Sequence, residues 1–497
     1  MWRSLLQKMG VRMATASPEE IVPIFLYNTL SKAKEEFRLV KNTRTVRMYN
    51  CGPTVYGRQH IGNLSMFVFT DVLRRVLEYN HLPVKQIINI TDVGHLTSDA
   101  DEGQDKMSKG LKAEKLKLTL DNMRVMGEKY TAMFLEDLQK LDIDTSRIEF
   151  PRASDYIPAQ IAMIQALVEK SYAYTAPDGV YFDTAQFPNY GKLGGIDLQG
   201  LKEGARVILV EGKHNATDFA LWKLDEKIGW ESPWGKGFPG WHIECSAMIR
   251  SCLGEQIDIH TGGIEHVAIH HNNEIAQSEA AIGKAPLSRF WMHRAHIQFE
   301  GGKLAKSAGN VIYLSDVIAR GYHPLSLRYL FLGAHYRTSA NFSWEALEAS
   351  QSAYLRLRAS VQKSPTGGLI NAECRLQILE RLNDDLDTPG ALSIIWEMMR
   401  DDSVDPSDMR ATIEDADRVF GLNLGVADTL ADSMHTQKVG VVVSTNELPE
   451  EIQSLVYARE EARTDKNWKK ADEIRSQLLT EGYALEDNAS GLIIRKK

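Results

Sequence analysis

The stretch Thr45-Val46-Arg47-Met48-Tyr49-Asn50-Cys51-Gly52-Pro53-Thr54-Val55-Tyr56, with His60-Ile61-Gly62-Asn63 close behind it, decides how this chain folds. Residues 45–50 read as a strand that stops at Cys51-Gly52-Pro53, because glycine and proline punctuate regular structure. Leu64, Val68, Val72 and Val76 then recur at i+4 steps, with Phe69 and Leu73 beside them. This pattern predicts a helix from about Gly62 to Tyr79 with one broad apolar face. Asn80 to Pro83 breaks the helix, and Val84 to Ile90 reads as a second apolar strand. Strand, helix and strand in that order begin a doubly wound parallel sheet, an α/β fold.

Further along, Lys303-Leu304-Ala305-Lys306-Ser307 sits in a Gly-rich loop, Gly301 to Asn310. An imidazole at a helix N-terminus and a loop with two lysines together suit a nucleoside triphosphate. Between the two motifs, polar helix-prone sequence runs from about Ser98 to Lys140. A mixed segment with strand-like pieces, such as Gly179 to Thr184, continues to about Lys223. Both read as an insertion between two halves of the sheet. The sheet is expected to resume near Gly240. There Gln256-Ile257-Asp258-Ile259-His260 forms a strand that delivers the loop Thr261-Gly262-Gly263 to the carboxyl edge, where open α/β sheets bind ligands. Leu314 to about Leu424 is helix-rich, and residues 425–446 read as a weakly ordered linker. From Leu448 a charged helix pair with Arg459, Arg463, Lys469 and Arg475 leads to a turn at Asn488 to Gly491 and a short closing strand.

The chain has 497 residues, 43% hydrophobic and 25% charged, which fits an ordinary globular protein of several domains. A net charge of −8 does not advertise a nucleic-acid binder, although a local basic face is compatible with it. No apolar run reaches the length of a membrane span. The four cysteines, Cys51, Cys245, Cys252 and Cys374, are scattered. That predicts a reduced, cytoplasmic setting with a metal-ligand role for at least one of them. Residues 1–20 carry Arg3, Lys8 and Arg12 with no acid before Glu19; this faintly leader-like stretch is read as an N-terminal extension.

Cys51, Cys245, His270 and Glu274 form a candidate zinc set. His270 and Glu274 are four residues apart, so a helix would present them on one face. Zinc accepts sulfur, imidazole nitrogen and carboxylate oxygen together. By residue type alone, buried apolar cysteines and a capping histidine are the plainer explanation.

The wider context changes that balance. Tyr27-Asn28-Thr29-Leu30, Cys51 to Tyr56, Asn89-Ile90-Thr91-Asp92, Gly240-Trp241-His242-Ile243-Glu244-Cys245-Ser246-Ala247-Met248, His260-Thr261-Gly262-Gly263 and His270 to Glu279 together resemble the cysteinyl-tRNA synthetases of class I. The signatures at 60–63 and 303–307 resemble that class's HIGH and KMSKS motifs. The resemblance covers roughly residues 23–497. It implies an N-terminal extension (1–22) and a Rossmann-type catalytic domain in two halves (23–97 and 236–312) split by a connective insertion (98–235). A connector (313–345), a helical bundle (346–440) and a small anticodon-binding domain (441–497) would follow.

The resemblance also implies roles. ATP would meet Gly52, Thr54, His60, Gly62, Asn63, Lys303, Lys306 and Ser307, with His60, Asn63, Lys303 and Lys306 as the catalytic group. Substrate cysteine would meet Thr91, Trp241 and His260. Zinc on Cys51, Cys245, His270 and Glu274 would take the substrate sulfur, and Mg²⁺ would accompany ATP. Arg463, Asp472 and Asp487 would face anticodon bases of cysteine tRNA, and a monomer is expected. A solvated helical hairpin is the alternative for those last residues.

Asn63 replaces the last His of HIGH. Leu304 and Ala305 replace Met and Ser of KMSKS, and Thr261 replaces a glycine of the usual HGGG run. The lost hydroxyl is worth about 1 kcal/mol if it made a hydrogen bond. Two other readings compete: a ligase of the same ancestry joining cysteine to an amino sugar, and a non-catalytic paralogue. The first would lack the C-terminal domain, and the second would be expected to have lost ligands or lysines. No GxxxxGK[ST] is present, which disfavours a P-loop ATPase.

Overall fold

The computed structural model describes residues 22–40, 44–93, 106–195, 212–299, 302–303, 311–431, 441–443, 448–465, 467–488 and 491–496. Five parallel strands form the central sheet, in the spatial order Ser288–Arg294, Ile257–Gly263, Val46–Asn50, Val84–Ile88, Ile148–Glu149. The chain starts at the middle strand and builds outward to one edge. It then returns to the other side of the first strand. The order therefore reverses between Val46–Asn50 and Ile257–Gly263, and a crevice opens at their carboxyl ends.

The helix Ile61–Tyr79 crosses one face of this sheet and is buried over most of its circumference. Its apolar side joins a core that continues into the helices Pro324–Leu332, Trp344–Lys363, Thr388–Met398 and Pro406–Phe420. Asp71, fully buried on that helix, meets Arg74, Arg75 and Arg328. Arg328 also donates to Phe420 O at 2.6 Å and Leu141 O at 2.8 Å. This node ties the signature helix to the helical region behind it.

Several elements depart from the sequence reading. The helix starts at Ile61, with His60 as its cap. The strand expected to end at His260 runs on to Gly263, because Thr261, Gly262 and Gly263 pair with Met292, His293 and Arg294. Ile148–Glu149, inside the stretch read as insertion, is the edge strand of the parallel sheet and pairs with Gln86 and Ile87. A two-residue strand carries no periodicity, so no pattern announces it. The antiparallel sheet of the insertion comprises Ala173–Ala176, Gly179–Phe182, Phe219–Leu224 and Gly237–Pro239. Part of the expected linker is also ordered: Val441–Val443 pairs antiparallel with Ile494–Lys496. Leu448, Ile452, Val456, Ile474, Leu478 and Leu485 give the C-terminal helices and strands their own core.

Candidate active site

The strand Val46–Asn50 ends in the turn that builds the site. Cys51 N donates to Thr261 O at 3.0 Å, and Gly52 N donates to Asn89 Oδ1 at 2.8 Å. A Cβ on Gly52 would lie 1.6 Å from Asn89 O, so only glycine lets these segments approach. Thr54 then bridges to Thr91. At His60 the backbone is still extended, and Nδ1 accepts from Asn63 N at 3.2 Å. Asn63 Nδ2 donates to Gln59 Oε1 at 2.7 Å. With Nδ1 as acceptor, the neutral ring carries its proton on Nε2. A donor thus sits at the positive end of a long helix.

These groups line a cleft of about 650 Å³, together with Gly52, Thr54 and Gly62. Cys51, Thr91, Trp241, Cys245 and His270 line the same cleft. Cys245 comes from the helix Trp241–Cys252, and His270 and Glu274 lie one turn apart on the helix His270–Ile282. The ligand atoms of Cys51, Cys245, His270 and Glu274 all fall within 4.8 Å of one another, and all four residues are buried.

The electrostatics fit a cation. The hydrogen bond from Cys51 draws the Cys245 thiol down to about 7, with His270 helping against burial. Burial and Cys245 push the Cys51 thiol well up. Burial alone would lower His270, but Glu274 and Cys245 outweigh it and raise the ring to about 10. Burial would raise Glu274, yet His260 and His270 hold its carboxyl well below the usual range. The protons of Cys51 and His270 occupy positions that a divalent ion would take, and its binding would release them. Two sulfurs, one imidazole and one carboxylate suit zinc.

A second set of equally close donors is Cys51, His260, His271 and Glu274. His260 Nε2 bonds Glu274 Oε2 at 2.9 Å, and its ring stacks on Trp291 with centroids 4.5 Å apart. His271 Nδ1 is held by His293 Nε2 at 2.7 Å. Neither histidine lines the cleft. The first set presents Cys51, Cys245 and His270 to a ligand entering from the cleft, and the second presents Cys51 alone.

Residues 37–352 match the family described as tRNA synthetases class I (C) catalytic domain, and residues 445–495 match the cysteinyl-tRNA ligase anticodon binding domain. The chain belongs to the cysteine–tRNA ligase family. Cysteine–tRNA ligase 1 of Burkholderia lata is 42% identical over 476 residues, which span 95% of this chain and 96% of that protein. Cysteine–tRNA ligase of Treponema denticola is 38% identical over 496 residues, 93% and 98% of the two chains. Mycobacterium tuberculosis methionyl-tRNA synthetase in complex with methionyl-adenylate shares the fold, with a TM-score of 0.53 at 14% identity over 80% of this chain and 94% of that one.

Within this family member, the residues expected at the site divide into three groups. Gly52, Thr54, His60, Gly62, Asn63, Thr91, Trp241, Cys51, Cys245 and His270 meet at the cleft, with Glu274 directly behind. His260, expected against the substrate, is not among the cleft-lining residues; its Nε2 bonds Glu274 Oε2 at 2.9 Å, and a ring nitrogen lies within 4.8 Å of Cys51 Sγ. Lys303 falls on the two-residue strand Gly302–Lys303, while Lys306 and Ser307 lie outside the described residues. In the C-terminal part, Arg463 ends the helix Glu450–Thr464 and sits 3.9 Å from Glu460. Asp472 is exposed on the helix Trp468–Thr480, and Asp487 lies on the strand Tyr483–Asn488.

Sequence reasoning missed three neighbours. His242 Nδ1 meets His270 Nδ1 at 2.7 Å, and its place inside the Gly240–Met248 motif was the available signal. Lys106 lies 4.7 Å over the Trp241 ring and lines the cleft. Arg294 ends the strand Ser288–Arg294 at the cleft wall. Neither Lys106 nor Arg294 belongs to a signature, so only the tertiary structure brings them in.

Proposed function

We propose that this chain activates cysteine with ATP and transfers it to the terminal adenosine of cysteine tRNA. The observation that carries this reading is a single cleft at the point where the strand order reverses. Its lining holds both a sulfur, sulfur and imidazole donor set and the His60–Asn63 helix start. In the first step a carboxylate oxygen of cysteine attacks the α-phosphorus of ATP. The bond to the bridging oxygen breaks, and its electron pair leaves with pyrophosphate. No protein nucleophile is required, so catalysis rests on positioning and charge stabilisation. His60 and Asn63 offer donors to phosphate oxygens, Gly62 lets the nucleotide come close, and Lys303, Lys306 and Ser307 close over the triphosphate with Mg²⁺. Thr91 and Trp241 shape the amino-acid end.

Cys51, Cys245, His270 and Glu274 would hold zinc, which when bound supplies a preference for thiolate over alcohol that shape cannot supply. The buried Glu274–His260 pair orients the carboxylate from behind. Arg463, Asp472 and Asp487 are proposed to read the anticodon, within the domain division 1–22, 23–97, 98–235, 236–312, 313–345, 346–440 and 441–497. A cytoplasmic monomer completes the reading.

The test is ATP-dependent charging of cysteine tRNA with labelled cysteine, beside a serine control. Charging with cysteine alone supports the proposal. Cysteine-dependent pyrophosphate exchange without charging would point to another acceptor, such as an amino sugar, and no exchange by folded, zinc-loaded protein would sink the proposal.

A further inference from the structure

Among the described residues five arginines are buried: Arg74, Arg294, Arg328, Arg358 and Arg459. Four of them have strong acceptors. Arg74 and Arg328 share Asp71, Arg459 meets Glu460, and Arg358 donates to the carbonyls of Asn423 and Val426. Arg294 is the exception. It is 5% exposed, and among the described residues its hydrogen-bond partner is one neutral hydroxyl, Ser65 Oγ, reached by Nε at 2.9 Å. Its guanidinium lies 5.7 Å from the Phe331 ring centre. Burial alone acts on its acidity, bringing it down to about 10. The group therefore stays charged at neutral pH, desolvated and without a counter-ion among the described residues.

Its position says what would satisfy it. Arg294 lines the catalytic cleft beside Gly62, Ser65, Met66 and Phe67 of the signature helix. Nε is spent on Ser65, while neither terminal nitrogen is a fully buried atom lacking a partner; Arg294 lines the cleft and, on its Phe331 side, a second small cavity. Among the described residues the cleft lining has one carboxylate, Glu265, which pairs with His296 at 3.4 Å and makes no ion pair with Arg294. A fixed planar fork of donors in a dry wall matches phosphate oxygens. A buried, uncompensated charge at a cleft is a place where stability has been given up for binding.

We infer that Arg294 is a phosphate-binding residue of the activation step, whose guanidinium receives the β- and γ-phosphate end of ATP and holds the pyrophosphate as it leaves. It rests on the cysteine-activating reading above. The guanidinium keeps its protons throughout; it neutralises charge as the bridging bond breaks. Its place in the folded wall is fixed through Ser65, so it acts on ATP capture as well as on the leaving group.

The experiment compares wild type, Arg294→Lys and Arg294→Met in cysteine-dependent ATP–pyrophosphate exchange, with ATP and adenosine binding by calorimetry and Tm by scanning calorimetry. Arg294→Met is expected to raise KM for ATP and for pyrophosphate about 10- to 100-fold, the range for hydrogen bonds to a charged group. KM for cysteine and the Kd of adenosine should stay within about twofold on the same argument. Tm should hold or rise, because an unpaired buried charge has been removed. Arg294→Lys should restore part of the ATP affinity. The inference is overturned if ATP and adenosine affinities move together, if KM for ATP stays within twofold, or if Tm falls with all constants shifting in parallel. Should wild type show no cysteine-dependent exchange, the activation reading fails, and the ATP-against-adenosine comparison still decides the role of Arg294.

Discussion

Replacing Gly52 with alanine tests the geometry of the whole cleft. The new Cβ would sit 1.6 Å from Asn89 O and 2.7 Å from the Asn89 carbonyl carbon. Both are backbone atoms, so no side chain can swing aside. To restore contacts of 3.0 Å, the turn and the Asn89 segment must part by roughly 1.4 Å in a close-packed interior. Cys51 precedes the glycine, and Thr54 follows it at its bridge to Thr91. The movement therefore displaces a proposed metal ligand and the proposed nucleotide-binding residues together. Metal–ligand distances tolerate about 0.2 Å, and a 1 Å misplacement of reacting groups costs about 100-fold in rate. Gly52→Ala should accordingly lose most bound zinc and at least about 100-fold in cysteine-dependent pyrophosphate exchange. Zinc would be measured by plasma mass spectrometry on freshly purified protein. Gly333→Ala is the control, because its nearest atom is Leu330 O at an ordinary 3.4 Å. A Gly52→Ala protein with a full zinc equivalent and exchange within threefold of wild type would refute the reasoning.

Cys245→Ser replaces a soft donor with a hard one, so bound zinc and discrimination of cysteine over serine should fall together; retention of both would count against the ligand assignment. Arg328→Met strips donors from the carbonyls of Phe420 and Leu141 and leaves Asp71 with Arg74 and Arg75. A loss of about 3–5 kcal/mol is expected for breaking such a buried pair, and a urea-midpoint change worth under about 1 kcal/mol would contradict it. Asp417 is raised from 3.8 to about 6 by burial, against the backbone donors Leu424 and Leu422. A carboxyl whose folded pKa lies above its unfolded value costs stability once it ionises. The cost is absent below the unfolded value and grows to about 3 kcal/mol as pH rises through the folded one. Wild type should therefore gain Tm relative to Asp417→Asn as pH falls from about 6 to 4; a pH-independent difference would show that Asp417 does not titrate there.

The chemistry-bearing residues were legible to different degrees, for physical reasons. Periodicity marked the helix after His60 because its apolar positions recur at helical steps over five turns. The His270–Glu274 pair was legible because helical spacing alone puts both on one face. The edge strand Ile148–Glu149 was hidden because two residues hold no pattern, and its pairing with Gln86 and Ile87 is non-local. The end of the strand starting at Ile257 was hidden for a related reason: it was read as stopping at His260, but non-local pairing with Met292, His293 and Arg294 carries it on to Gly263.

By itself the sequence determined the doubly wound class, the place of the nucleotide signature at a helix start, and the zinc candidates. These depend on local spacing and residue chemistry, which the chain order records directly. The tertiary structure alone decided which of two donor sets faces the cleft, since Cys51 and Glu274 belong to both. It also decided that Arg294 is a buried cation with no counter-ion among the described residues. Burial and counter-charge are properties of what surrounds a side chain after folding, and neighbours distant in sequence supply them.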